Sequence, residues 1–318
     1  MQKWLTLALS CLLIPMARGS EEYTSSRSEV GKANDGIAPN RDEQDNTQNL
    51  TQVPIAELQQ WGSRPIRCHF VVINDTHVGP GEMRGLDKAM LRLEGQKPNF
   101  IVFTGDLTFG QGESESTKRE SFKSLVEAAK TAQCPFYLGM GNTDMIPGED
   151  PVRAFRESTG TSPYYSFDNG GVHFVMLYTE RQKPDRFGTI DAAQLEWLKG
   201  DLKAMKEGTP VVLFGHHALY PDENKWEQDN WGIDNSLQLL EVLKPYHLIA
   251  TFSSHRHLNR MGLDSRGVLH VINGAMVNDH SDDIGPKKDG VGYRWVSLTD
   301  EQISTTWIQV GLSEIPKR

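Results

Sequence analysis

Short apolar runs alternating with amphipathic helical stretches predict an α/β fold, in the form of a four-layer α/β/β/α sandwich of two mixed β-sheets flanked by helices. Three observations carry this expectation. Several runs are dense in Val, Ile, Leu and Phe, as strands buried on both faces are. Between them lie segments with apolar residues at helical spacing. Near the end, two alternating segments read as an antiparallel hairpin and suggest a second sheet beside the first.

The elements follow in order. Cys68–Asn74 (CHFVVIN) is the first buried strand, and Leu86, Ala89, Met90 and Leu93 then mark a helix. Asn99–Thr104 (NFIVFT) is the second strand. Phe122, Leu125, Val126 and Ala129 form one face of a helix over 121–132. Pro135–Met140 is the third strand, and Tyr164–Phe167 and Val172–Tyr178 are the next two. Asp191 can cap a helix from Ala192 to Lys206. Pro210–Gly215, His247–Phe252 and Val268–Ile272 are strands, with a helix near Asn235–Leu243 between the first two. Tyr293–Leu298 and Ile303–Val310 form the hairpin. Strands alternating with helices imply βαβ units and a mainly parallel sheet. One domain spans 53–312, followed by a tail over 313–318.

The 318 residues are long enough to bury a sizeable core. A formal charge of −9 offers no basic face to nucleic acid or anionic lipid. Three Cys exclude a disulfide scaffold and a Cys-based zinc module. No repeat at solenoid or propeller period is visible.

The N-terminus has the pattern of a secretory signal over 1–20: Lys3, an apolar run from Trp4 to Met16, then the small-residue stretch at 17–20. The run is too short to span a membrane, which takes about 20 apolar residues. The expected location is therefore periplasmic or extracellular. Cys11 is not read as a lipid-anchored Cys, because the apolar run continues past it and Ala8 is a poor residue three positions before it. Residues 21–52 are polar and sparse in aromatic and β-branched types, the composition of a disordered linker. Asn49-Leu50-Thr51 within it fits a glycosylation acceptor. Export leaves Cys68 and Cys134, each at the front of a predicted strand. They either pair or serve as small core residues, and the core reading is preferred.

Polar residues follow directly on each buried strand. These are Asp75-Thr76-His77, Gly105-Asp106, Gly141-Asn142-Thr143-Asp144, Gly215-His216-His217 and Ser254-His255-Arg256-His257. In a parallel sheet the carboxyl ends of the strands open on one crevice. Asp75, His77, Asp106, Asn142, His216, His255 and His257 are therefore expected to converge. This set of oxygen and imidazole donors exceeds what one metal takes from protein. It suits two divalent ions about 3.5–4 Å apart with a shared carboxylate and open positions. Mixed N and O donors without thiolate fit Mn, Fe, Zn or Ni. His69, His173, His247 and His270 lie within strands and are read as satisfied structural residues.

This ordered series resembles the calcineurin-like metallophosphoesterases, whose signature runs D-x-H, G-D, G-N-H-D/E, G-H and G-H-x-H. The resemblance covers about Cys68 to Asn278. It implies a double-sheet sandwich and two metals: Asp75, His77 and His257 on the first, Asn142, His216 and His255 on the second, and Asp106 between them. It implies hydrolysis of small phosphate mono- or diesters by a hydroxide shared by the two ions. The chain departs from the pattern at Ser254, where the family has Gly, and at Thr143, where it has a His that contacts phosphate and protonates the leaving group. Thr donates only a neutral hydrogen bond. Asp106 and Asn142 remain catalytic candidates, and His217, Asp144 or a water is the substitute for the missing acid. Purple acid phosphatases resemble the pattern but carry a Tyr where this chain has Phe109, and they lack the His of D-x-H, which this chain has at His77. No purple colour is expected.

Substrate choice is expected from loops 78–85, 107–118, 145–150, 217–234 and 278–292, including Tyr220, Trp226 and Trp231, which either stack on substrate or pack the loop. Arg256 either meets phosphate or points outward. The alternative to an esterase is a catalytically impaired metal- or phosphate-binding member. A nuclease is disfavoured by the acidic balance.

Overall fold

The computed structural model describes residues 66–310 apart from 84, 111–112, 181–186, 220–231, 278–290 and 301, together with residues 14–15. Cys11, the linker, the Asn49 sequon, the tail and the loop aromatics Tyr220, Trp226 and Trp231 lie outside the described residues. No described helix is long and apolar enough to cross a membrane.

In chain order the strands are β1 (Ile14–Pro15), β2 (Ile66–Ile73), β3 (Phe100–Thr104), β4 (Phe136–Gly139), β5 (Tyr165–Asn169), β6 (Val172–Met176), β7 (Pro210–Phe214), β8 (His247–Ser253), β9 (Arg260–Leu263), β10 (Leu269–Ile272), β11 (Gly292–Thr299) and β12 (Gln302–Gln309). The helices are α1 (Leu86–Gln96), α2 (Glu115–Lys130), α3 (Pro151–Thr159), α4 (Ala192–Ala204) and α5 (Ser236–Leu243).

The strands form two sheets, ordered β1-β12-β11-β2-β3-β4 and β5-β6-β7-β8-β10-β9. In the first, β2, β3 and β4 run parallel and β11 and β12 antiparallel. In the second, β6, β7, β8 and β10 run parallel, with β5 and β9 antiparallel at the edges. Two mixed sheets flanked by helices are thus the observed architecture.

The apolar runs are explained by their two faces. Phe70 and Val72 of β2 point between the sheets and meet Phe174, Phe214 and Phe252. Val71 and Ile73 point the other way, against Leu86, Met90, Phe122 and Leu125 of α1 and α2. On the second sheet Val175, Val211 and Leu213 face Leu195, Leu198 and Leu239 of α4 and α5. Both faces of each central strand exclude water, so polar alternation disappears from the sequence. Phe70 stacks on Phe100 at 5.1 Å and meets Phe174, Phe214 and Phe252 edge-on. Such pairs add about 0.5–1.5 kcal/mol each beyond area burial.

Two expectations are corrected and two elements are added. The closing hairpin joins the first sheet: β11 pairs with β2, so it extends the N-terminal sheet and the second sheet begins at β5. Helix α2 starts at Glu115, two turns before its apolar stripe, because the Ser114 hydroxyl accepts from Thr117 N–H and caps it. Helix α3 went unread: it buries only Ala154 and Phe155, and its signals are an Asp150 cap, Pro151 and a left-handed Gly160. Strand β9 also went unread, since none of its residues is buried.

Cys68 and Cys134 are both free. Cys68 lies in the inter-sheet core and Cys134 packs against the core on the helix side of the first sheet, so the core reading fits. His69 meets Ser297 Oγ at 2.8 Å, His270 meets Thr251 Oγ1 at 2.9 Å, and His173 sits between Asp168 and Asp201.

Candidate metal centre

The carboxyl ends of β2, β3 and β4 and those of β7 and β8 supply the site. Each chain turns sharply as it leaves its strand. Asp75, His77, Asp106, His255 and His257 all adopt positive φ, between 42° and 69°. Only two other non-glycine residues among those described do so, Lys97 and Gln133. A left-handed backbone in a residue with a Cβ is costly and collects at functional sites. The turns lock to each other through Asp75 N–H to Gly105 O and His77 N–H to Asp106 O.

All seven predicted ligands come together, in two groups. Asp75, His77 and His257 form one and Asp106, His216 and His255 the other, each with its candidate atoms within 4.8 Å of one another. Asn142 joins the second group, its Oδ1 3.0 Å from His216 Nε2. In the first group His257 Nε2 lies 3.3 Å from Asp75 Oδ1. Asp106 stands between the groups: Oδ1 is 3.3 Å from His216 Nε2 and Oδ2 is 3.8 Å from His77 Nε2. Gly141 is required here, because a Cβ on it would overlap the Asp106 backbone and carboxylate.

The electrostatics favour cations. Burial works to raise the Asp106 carboxyl, yet His216, His77 and His255 hold it well below the ordinary value. Burial also works against charge on His216, but Asp106, Glu180 and Asp75 push its pKa up to about 10. Burial, followed by His217 and His216, drives His255 well below its ordinary value. The carboxylates demand positive charge, while the imidazoles cannot all accept protons. Asp75 is fully buried, and among the described residues its Oδ1 accepts no well-formed hydrogen bond, with His257 Nε2 nearby at 3.3 Å. Imidazole nitrogens, carboxylates and an amide oxygen, with no thiolate, fit a pair of divalent cations.

Two predicted neighbours do something else. Asp144 does not face the crevice: its carboxylate accepts from the N–H groups of Gly141, Leu107 and Thr108 and from the Thr108 hydroxyl. It brackets the two loops, and burial together with Asp106 pushes its pKa up to about 6. His217 is fully buried, with Nδ1 3.0 Å from Glu180 Oε1 and its ring centroid 4.2 Å from that of His255. Arg256 is not turned out to solvent; it is 9% exposed.

Thr143 donates its hydroxyl to Thr108 O and its N–H to Asp106 Oδ1. Behind it stands Lys118, fully buried, whose ammonium donates to the carbonyls of Phe109 and Thr143 at 2.5 Å each. Sequence reasoning missed Lys118 and Glu180. Lys118 sits on the polar first turns of α2 and carries no signal. Glu180 follows β6 as the other acidic residues follow their strands, so the same rule could have found it.

The calcineurin-like phosphoesterase family model matches residues 68–259, a span that includes all seven candidate ligands. This chain belongs to that family. Among curated members and relatives, it is 32% identical to Purple acid phosphatase 15 of Arabidopsis thaliana over 149 residues, 41% of this chain and 26% of that protein. It is 26% identical to a 3',5'-cyclic-nucleotide phosphodiesterase of Nostoc over 179 residues, 53% of this chain and 63% of that protein. The matches thus cover less than two thirds of either relative. A dimetal phosphatase from Danio rerio has a similar fold, with TM-score 0.59 and 13% identity over 77% of this chain and 98% of that one. So does a purple acid phosphatase from yellow lupin, with TM-score 0.55 and 13% identity over 78% of this chain and 52% of that one.

Proposed function

We propose that this chain is an exported two-metal phosphoesterase acting on small phosphate mono- or diesters. The observation that carries the proposal is Asp106, turned with one oxygen toward each of two ligand groups. Asp75, His77 and His257 would hold one cation and Asn142, His216 and His255 the other, with Asp106 reaching both. Bound there, divalent cations would supply Lewis-acid charge for the phosphate and an acidified water. Membership of the family and the phosphatase and phosphodiesterase relatives support the reaction class. The leader pattern over 1–20 supports export.

The protein groups then divide the remaining work. The Thr143 N–H fixes the rotamer of Asp106. Asp144 and Lys118 hold the loop after β3 against the Asn142–Asp144 turn. His217 is a positioning residue, held by Glu180 and packed on His255, and it has no exposed edge from which to protonate a leaving group. Thr143 Oγ1 is committed to Thr108 O, so the family's acid has no direct replacement at its own position. Leaving groups that depart as stable anions are favoured, and aryl esters outrun alkyl esters. The loss of this acid also favours the second reading, a binding protein with little turnover.

The test is hydrolysis of an aryl phosphomonoester and an aryl phosphodiester by chelator-stripped protein, with Mn²⁺, Zn²⁺, Ni²⁺ or Mg²⁺ restored. Metal-dependent turnover that disappears in Asp106→Asn is the expected result, and the better ester identifies the branch. Cation binding with no turnover of either ester would favour the binding protein.

A further inference from the structure

His216 presents two edges. Its Nε2 lies 3.0 Å from Asn142 Oδ1, 3.2 Å from His255 Nδ1 and 3.3 Å from Asp106 Oδ1. Its Nδ1 faces away from the group, into a tight cage. Thr104 O lies 3.1 Å from Nδ1 and Ser254 Oγ 2.9 Å from it. Gly105 closes the cage, since a Cβ there would come within 2.7 Å of Nδ1. Ser254 is 1% exposed, and its Oγ is also 2.9 Å from Thr104 O and 3.3 Å from His216 O. This residue stands where the family signature has Gly, so the hydroxyl is this chain's own addition.

The proton positions follow from the contacts. Thr104 O can only accept. An unprotonated Nδ1 would set a lone pair against it at 3.1 Å, so Nδ1 carries hydrogen. The Ser254 hydroxyl then accepts from Nδ1–H and donates its own hydrogen to Thr104 O. Nε2 also faces acceptors, Asn142 Oδ1 and Asp106 Oδ1, so without a cation the ring carries hydrogen on both nitrogens; with Nδ1–H committed to the cage, Nε2 is the nitrogen that would give up its hydrogen to a cation in the group.

We infer that Ser254 is a positioning residue for the second cation group: its hydroxyl holds His216 in the Nδ1–H form and keeps Nε2 directed at Asp106, Asn142 and His255. The inference rests on the two-metal reading above. Partners of the non-ligating imidazole nitrogen set ring orientation and ligand basicity, and losing one costs roughly 10–100-fold in metal affinity. Thr104 O remains in the variants, so the lower end of that range is expected.

The test is calorimetric titration of the chelator-stripped full chain with Mn²⁺, comparing wild type with Ser254→Ala and Ser254→Gly. Thermal melting of each metal-free protein is measured alongside. Two Mn²⁺ per chain are expected in wild type. In both variants one site weakens by about 10-fold, the other keeps its affinity, and the metal-free melting temperature is unchanged. Two unchanged sites in the variants would overturn the role of Ser254 and leave the two-metal reading standing. Equal weakening of both sites with a lowered metal-free melting temperature would make Ser254 a packing residue only. Fewer than two Mn²⁺ in wild type would overturn the two-metal reading itself.

Discussion

Asp75, His77, Asp106, His255 and His257 hold backbone conformations that cost about 1–3 kcal/mol each. The strain is tolerated because neighbouring turns fix one another and because these positions aim five side chains at one volume. The convergence of all seven candidate residues was legible in the sequence for one reason: each follows a run of apolar residues whose strand end topology places at the crevice. Roles set by side-chain direction were not legible. Asp144 and Asn142 are two positions apart, yet Asp144 turns back to bracket two loops while Asn142 turns toward His216. Ser254 read only as a departure from the family's Gly, because only its contacts reveal its grip on His216. The Thr143 position carries a sharp prediction. Thr143→His restores a group able to protonate a leaving oxygen, so alkyl ester hydrolysis should rise by about 10²–10⁴-fold and aryl ester hydrolysis much less. The ratio of kcat/KM for the two ester types measures it. An equal gain on both would show that proton donation is not what the site lacks.

At the scale of elements, strands buried on both faces were the most legible feature, and short elements with little apolar burial the least. Helix α3 illustrates the second class. Its order comes from ends rather than a stripe: Asp150 accepts from Arg153 N–H, and Gly160 closes the helix. Asp150→Ala should therefore cost about 1 kcal/mol, read as a lowered midpoint in urea; an unchanged midpoint would mean that packing alone holds α3. The β9–β10 hairpin depends on one carboxylate. Burial works to raise Asp264, but His270, the Val268 N–H and Arg266 hold it below its ordinary value. A carboxyl depressed in the folded state contributes stability that is complete above its unfolded pKa of about 3.9 and is lost as pH falls below it. The stability difference between wild type and Asp264→Asn should thus be constant above about pH 5 and shrink between about pH 4 and pH 2. Denaturant melts across that range check it, and a difference independent of pH would assign the effect to packing.

For the molecule as a whole, the sequence shows two sheets but not their membership. A late hairpin can pair with either sheet at no cost in pattern. The choice falls to β2, which offers its free edge to β11 while its inward residues face the aromatic cluster. That long-range pairing leaves no trace in local periodicity. The resulting sandwich brings the ends of β2, β3 and β4 opposite those of β7 and β8, so neither ligand group is complete within one sheet. Asp75 and His77 come from the first sheet and His257 from the loop after β8; Asp106 and Asn142 come from the first and His216 and His255 from the second. Catalytic competence should therefore require the docked pair of sheets and both cations together. The most direct measurement is the initial rate of aryl phosphodiester and phosphomonoester hydrolysis by chelator-stripped protein as Mn²⁺ is added by equivalents per chain. Little activity through the first equivalent, a rise that saturates with the second, and a flat line in Asp106→Asn are the predicted results. Full activity at one equivalent would contradict the two-metal account, and none at two would contradict the esterase account and favour the binding protein.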